Sequence, residues 1–99
     1  MLREIDIRGI DRYLLDEHFE GEPLHLHVSE VEPGERKHPP HRHGGVEAFY
    51  LLAGEGTLEL DDERITLRAG EAAVIDPQRL HGLVNSGTVP LRYVVILRP

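Results

Sequence analysis

The stretch Pro40-His41-Arg42-His43-Gly44-Gly45-Val46-Glu47-Ala48-Phe49-Tyr50-Leu51-Leu52 decides how this chain is read. On an extended backbone, residues two apart point to the same side, about 6.6–7 Å apart. His41 and His43 can therefore converge on one metal ion. Glu47 lies four residues beyond His43, so the parity holds if the strand continues through Gly44-Gly45. Glu47 also opens a core-facing stripe with Phe49 and Leu51. A carboxylate at the head of such a stripe is costly to bury unless it is paired or ligating. Ala48, Tyr50 and Leu52 face the other way.

A second segment echoes the first. Gly70-Glu71-Ala72-Ala73-Val74-Ile75-Asp76-Pro77 reads as a turn and a strand, followed by Gln78-Arg79-Leu80-His81. Leu83 and Asn85 share the face of His81. Three neutral imidazoles and one carboxylate suit a divalent first-row metal: zinc, manganese, iron, nickel, cobalt or copper. Four ligands on an octahedral ion leave two positions for water or a bidentate substrate.

Outward from these segments, the chain reads as strands and turns. Leu24-His25-Leu26-His27-Val28-Ser29 alternates apolar and polar, the period of a half-buried strand. Thr57 to Leu60 and Arg64 to Arg68 alternate likewise about Asp61-Asp62-Glu63, a hairpin with a three-residue acidic turn. Ala48 to Leu52 and Tyr93 to Leu97 are continuous apolar runs, which suit strands covered on both faces by a second sheet or a second subunit. Ile10, Tyr13, Leu14 and His18 fit a helical spacing with Asp11 as a cap, but a strand over Tyr13 to Phe19 is preferred. Frequent glycine and proline punctuation with seven or more short strands points to an all-β sandwich or barrel.

Length and composition exclude much else. Ninety-nine residues allow one compact domain spanning 1–99, with a core small enough to profit from a metal or a second subunit. The formal net charge of −7 repels a phosphate backbone, so no nucleic-acid partner is expected. With no cysteine, disulfides, thiolate nucleophiles and thiolate metal sites are excluded. No apolar run approaches the roughly 20 residues of a membrane helix, and Met1 to Asp6 carries no signal-like apolar region. The expectation is a cytoplasmic protein without membrane contact.

Taken together, the two segments resemble the motifs of the cupins, specifically their small single-domain members, over about residues 24–97. Gly34, His41-Arg42-His43, Glu47 and Gly54 stand where the first cupin motif has its glycine, HxH pair, glutamate and glycine, with one extra residue between Gly34 and His41. Gly70, Pro77, His81 and Asn85 stand for the second. There the glycine usual between proline and histidine is absent and the stretch is one residue shorter, so the turn before His81 is expected to be remodelled. The resemblance implies a jelly-roll β-barrel of two antiparallel sheets and six to eight strands. It implies a metal site formed by His41, His43, Glu47 and His81 inside the barrel.

The other conspicuous residues read more simply. His25 and His27 are taken as the polar face of a strand, His38 and His18 as surface residues, and Asn85 as a structural hydrogen-bonder. Tyr50 and Tyr93 are taken as core or interface packing. His38, Arg42, Gln78 and Arg79 are the polar groups near the expected mouth, Arg42 facing away from the metal. The function expected is metal binding together with a small-molecule ligand or substrate. Whether the chain is an enzyme stays open. The resemblance permits a dioxygenase, a decarboxylase or a sugar isomerase or epimerase, and equally a non-catalytic sensor or storage module. The apolar faces at Ala48-Tyr50-Leu52 and Val94-Ile96 suggest a homodimer.

Overall fold

The computed structural model describes residues 1–21 and 24–99. Among these residues there is no helix. Nine strands run in the order β1 (Leu2–Ile7), β2 (Ile10–Asp16), β3 (His25–Val31), β4 (Val46–Ala53), β5 (Glu55–Leu60), β6 (Glu63–Arg68), β7 (Ala72–Ile75), β8 (His81–Asn85) and β9 (Leu91–Arg98). They form a four-stranded sheet β3-β9-β4-β7, a three-stranded sheet β6-β5-β8 and a two-stranded β1-β2 hairpin, all with antiparallel pairing. The count exceeds the six to eight strands expected.

The inner faces of the two larger sheets enclose the core. Leu51, Leu58 and Leu91 are fully buried, and Phe49, Leu60, Leu67, Ile75, Leu83, Tyr93 and Val95 pack around them. Alternation along β5, which buries Gly56, Leu58 and Leu60, delivers this layer as strand geometry requires. Gly54 makes the β4–β5 turn in the left-handed region at φ 85°, and a side chain there would meet Pro90 O at 2.6 Å. Only glycine fits both demands.

Four expectations need correction. First, Leu60 pairs with Glu63, so the acidic turn is Asp61-Asp62, two residues and not three. Asp61 takes φ 52°, a conformation that aspartate tolerates better than most residues. Second, the early strand spans Ile10–Asp16 and stops before Phe19, because it must pair with Leu2–Ile7; no helix forms. Third, β4 is buried on one face only, with Tyr50 and Leu52 exposed on the other. Among the described residues no second sheet covers Tyr50 and Leu52 on that outer face. Fourth, His41 to Gly45 is not a continuous strand: β4 begins at Val46, and His41 forms an isolated bridge with His81.

Candidate metal centre

Backbone pairing brings the two sequence segments together. His41 N donates to His81 O and His81 N to His41 O, each at 3.0 Å. His43 N donates to Pro77 O at 2.9 Å. The loop then reverses at Gly45, whose φ is 93° and whose position is packed against Arg98 O. This turn, and not strand parity, returns Glu47 to the side of His43.

The side chains converge at the end of the barrel where β4 and β8 begin. Ligating atoms of His41, His43 and His81 lie within 4.8 Å of one another. Glu47 Oε2 stands 3.0 Å from His43 Nε2 and 2.9 Å from His81 Nε2. Glu47 and His81 are buried, His43 is half-buried and His41 is exposed at the rim.

The tautomers follow from the opposite side of each ring. His43 Nδ1 faces Gly44 O at 2.9 Å and His81 Nδ1 faces Arg79 O at 2.8 Å. A carbonyl oxygen only accepts, so both Nδ1 atoms carry the proton and donate. In the neutral rings, both Nε2 atoms then present lone pairs to a carboxylate oxygen. Glu47 Oε2 and His81 Nε2 accordingly have no hydrogen-bond partner despite their burial and closeness. Three acceptors at this distance repel unless a cation lies among them. Nitrogen and oxygen atoms this close can be held by one shared ion. His41 is held below its ordinary pKa of 6.5 by burial first and then by His81 and His43, which favours the neutral, ligating form.

The turn before His81 is fastened to the β5–β6 turn. Arg79 donates through Nε to Asp61 Oδ2 at 2.9 Å and through Nη2 to Glu63 Oε1 at 2.7 Å. Leu80 N donates to Asp61 Oδ1 at 3.0 Å, and Asp61 N returns a bond to Leu80 O at 2.7 Å. The β5–β6 turn thereby clamps the residue whose carbonyl orients His81. Arg79 serves that clamp and does not line the cavity, nor do Arg42 and Gln78. Asn85 is structural, as expected: it donates to Val31 O and Val89 O and accepts from Gly87 N.

The cluster opens into a cavity of about 490 Å³. Here one reading changes. His25 and His27 are indeed the polar face of β3, but that face lines the cavity and not the bulk solvent. His38, exposed at the rim, lines it as well and stacks on His41 with ring centroids 5.8 Å apart. Ser29 and Tyr93 complete the wall. Burial above all, then the Arg8 charge, pushes the His27 pKa down. Sequence reasoning missed Ser29 and Arg8. For Ser29 the signal existed, since it continues the His25-His27 alternation. Arg8 reaches Ser29 Oγ from the N-terminal hairpin at 3.2 Å, a contact with no local signature.

The family model described as "Cupin domain" (Cupin_2) matches residues 21–97. The chain belongs to the cupin family. An uncharacterised protein of Methanocaldococcus jannaschii is 33% identical to this cupin over 60 residues, covering 60% of the chain and 48% of the relative. An oxalate-binding protein of Thermotoga maritima is 28% identical over 58 residues, covering 58% and 48%. The chain thus spans about half the length of these curated relatives. Among solved structures, a predicted oxalate decarboxylase of Thermotoga maritima superposes with TM-score 0.67 at 25% identity over 73% of this chain and 63% of its own. TT1209 of Thermus thermophilus superposes with TM-score 0.72 at 23% identity over 99% and 83%, a likeness of fold. Among the described residues no helix is long and apolar enough to cross a membrane.

Proposed function

We propose that this cupin holds one divalent transition metal ion through His41, His43, Glu47 and His81 and binds or acts on a small carboxylate-bearing molecule there. The carrying observation is the convergence of two imidazole nitrogens on a buried carboxylate oxygen, spaced 2.9 and 3.0 Å, with Glu47 Oε2 and His81 Nε2 lacking any hydrogen-bond partner. A bound ion supplies Lewis acidity to an oxygen ligand. The chain's own part is to fix four donors in place, to favour the neutral form of His41 and to bury Glu47 and His81 away from bulk water. The ligand class is supported by the relative described as oxalate-binding and by the solved structure described as a predicted oxalate decarboxylase, together with a cavity wall rich in imidazole donors.

Elemental analysis of untagged protein tests the reading: one first-row metal per chain is expected, and none in His41→Ala/His43→Ala. Unchanged metal content in that double variant refutes the ligand assignment. Binding and turnover separate when metal-loaded protein is offered oxalate: retention without loss of carbon dioxide marks a binder, its release a decarboxylase.

The same reading includes a homodimer built on the outer face of the β3-β9-β4-β7 sheet. Leu26, Val28, Val94, Ile96, Ala48, Tyr50 and Val74 are adjacent there through the strand register. Val74 is 73% exposed and Tyr50 42%, an apolar patch that a second copy would cover.

A further inference from the structure

The cavity separates charge in a way the whole chain does not. The chain carries 18 acidic residues and a formal net charge of −7. Yet among the described residues Glu47 is the one carboxylate side chain that lines the cavity, while six of the seven histidines and Lys37 do so. Five of those seven are the cluster's three histidines and the neighbouring loop residues Lys37 and His38. The other two, His25 and His27, line the wall elsewhere, on β3.

That wall is held apart from the cluster by the sheet register. His25 pairs with Leu97, which pairs with Glu47. His27 pairs with Val95, which pairs with Phe49. At about 4.8 Å per strand, the His25 and Glu47 backbones stand roughly 10 Å apart. Apolar Leu97, Val95 and Phe49 occupy the floor between them. Behind the wall, Arg8 Nη2 donates to the buried Ser29 Oγ at 3.2 Å. The hairpin that delivers Arg8 is anchored by Val28 N donating to Arg8 O at 3.0 Å. Gly9 sits so close to β3 that a side chain would meet Val28 O at 2.5 Å. Burial first and then the positive field of Arg8 oppose protonation of His27.

We infer that His25 and His27, backed by Arg8, receive the far carboxylate of an elongated dicarboxylate whose near carboxylate lies at the His41-His43-Glu47-His81 cluster. The inference rests on the metal reading of that cluster and names its substrate class. A donor wall, an apolar floor and a metal-ligand cluster, in that order, match a carboxylate, a short methylene run and a second carboxylate. An acid of two carbons cannot reach both ends. A cavity of about 490 Å³ belongs to the range that takes a whole small molecule.

The test uses the full chain loaded with nickel(II), with stoichiometry checked by elemental analysis, and calorimetric titration with acetate, oxalate and glutarate. Glutarate is expected to bind at least tenfold more tightly than acetate. His25→Asn/His27→Asn should abolish that advantage while nickel content and acetate affinity stay as in the unaltered chain. Arg8→Gln, remote from the cluster, should reduce glutarate affinity several-fold and spare acetate, and it guards against a misfolded double variant. Glutarate no tighter than acetate in protein holding one nickel per chain overturns the inference alone. So does a glutarate advantage that survives both variants. Failure to hold nickel overturns the metal reading and this inference with it.

Discussion

Glu47 Oε2 and His81 Nε2 face each other at 2.9 Å, both buried and neither with a hydrogen-bond partner. With the ring neutral, this contact is unfavourable without a cation and favourable around one. Glu47→Gln therefore separates stability from metal binding. The amide can donate a hydrogen bond to His81 Nε2, and satisfying a buried polar atom is worth about 1–3 kcal/mol. In excess chelator the variant should melt higher than the unaltered chain, by roughly 4–8 °C per kcal/mol for a domain of this size. Its metal affinity should fall by at least about 100-fold, as expected for loss of a ligand. Calorimetry with and without metal reads both. A lower melting temperature in chelator combined with full metal retention would mean that the pair is an ordinary ion pair.

Metal removal should itself be visible as lost stability. An ion that binds only the folded chain adds about 2.7 kcal/mol at a hundredfold excess over its dissociation constant. Adding a chelator to metal-loaded protein should lower the melting temperature by about ten degrees or more on the same scale. His41→Ala/His43→Ala should show no such response. Equal responses in the two proteins would place the ion elsewhere.

The spacing of His41, His43, Glu47 and His81 was legible because each carries its chemistry in its residue type. What links them was less so. Strand parity suggested the right neighbours by an incorrect route, since Gly45 turns the chain where the pattern implies a strand. His25 and His27 show the limit of alternation. It reports that two faces differ, and the apolar face is then assigned to the inside. In this barrel the inside at that height is a polar cavity, while Leu26 and Val28 belong to the outer face of the sheet. Arg8 and Arg79 act across 21 and 18 residues of chain, and side-chain contacts of that range leave no periodic trace.

The Arg79 clamp predicts a second route to a damaged site. Arg79→Ala frees the turn whose carbonyl holds His81 Nδ1, so metal affinity should fall about tenfold through misorientation of the ring. The clamp also has an acid limb. Hydrogen bonds from Arg79 first, then from the Leu80 backbone, hold Asp61 below its ordinary pKa of 3.8. A depressed carboxylate stabilises the fold above that ordinary value, and the contribution disappears as pH falls through the lowered one. Melting temperature between about pH 5 and 2.5 should fall less steeply in Asp61→Asn than in the unaltered chain. Identical slopes would remove Asp61 from the account.

The outer sheet face gives a prediction about assembly. Tyr50→Lys/Val74→Lys places two charges in the apolar patch and leaves the inner face untouched. Sedimentation at micromolar concentration should show a dimer for the unaltered chain and a single barrel for the variant, with metal content equal in both. A monomeric unaltered chain removes the dimer.

His27 sets the behaviour of the fold at milder acidity. Burial first, then Arg8, lowers its pKa in the folded chain from 6.5. The unfolded chain takes up the proton first, so stability is full above about pH 6.5 and is lost as pH falls from there through the lowered value. His41 is lowered as well, so the two act in the same window and both must be kept neutral in the native cavity. Chelator has to be present, because acid also releases an ion from imidazole ligands. Under that condition the melting temperature should decline between about pH 7 and 5, and His27→Asn should decline less, since asparagine needs no proton-free state to stay buried. A decline of equal depth in the variant would assign the acid sensitivity to His41 and the remaining titratable groups, and would leave His27 without a part in it.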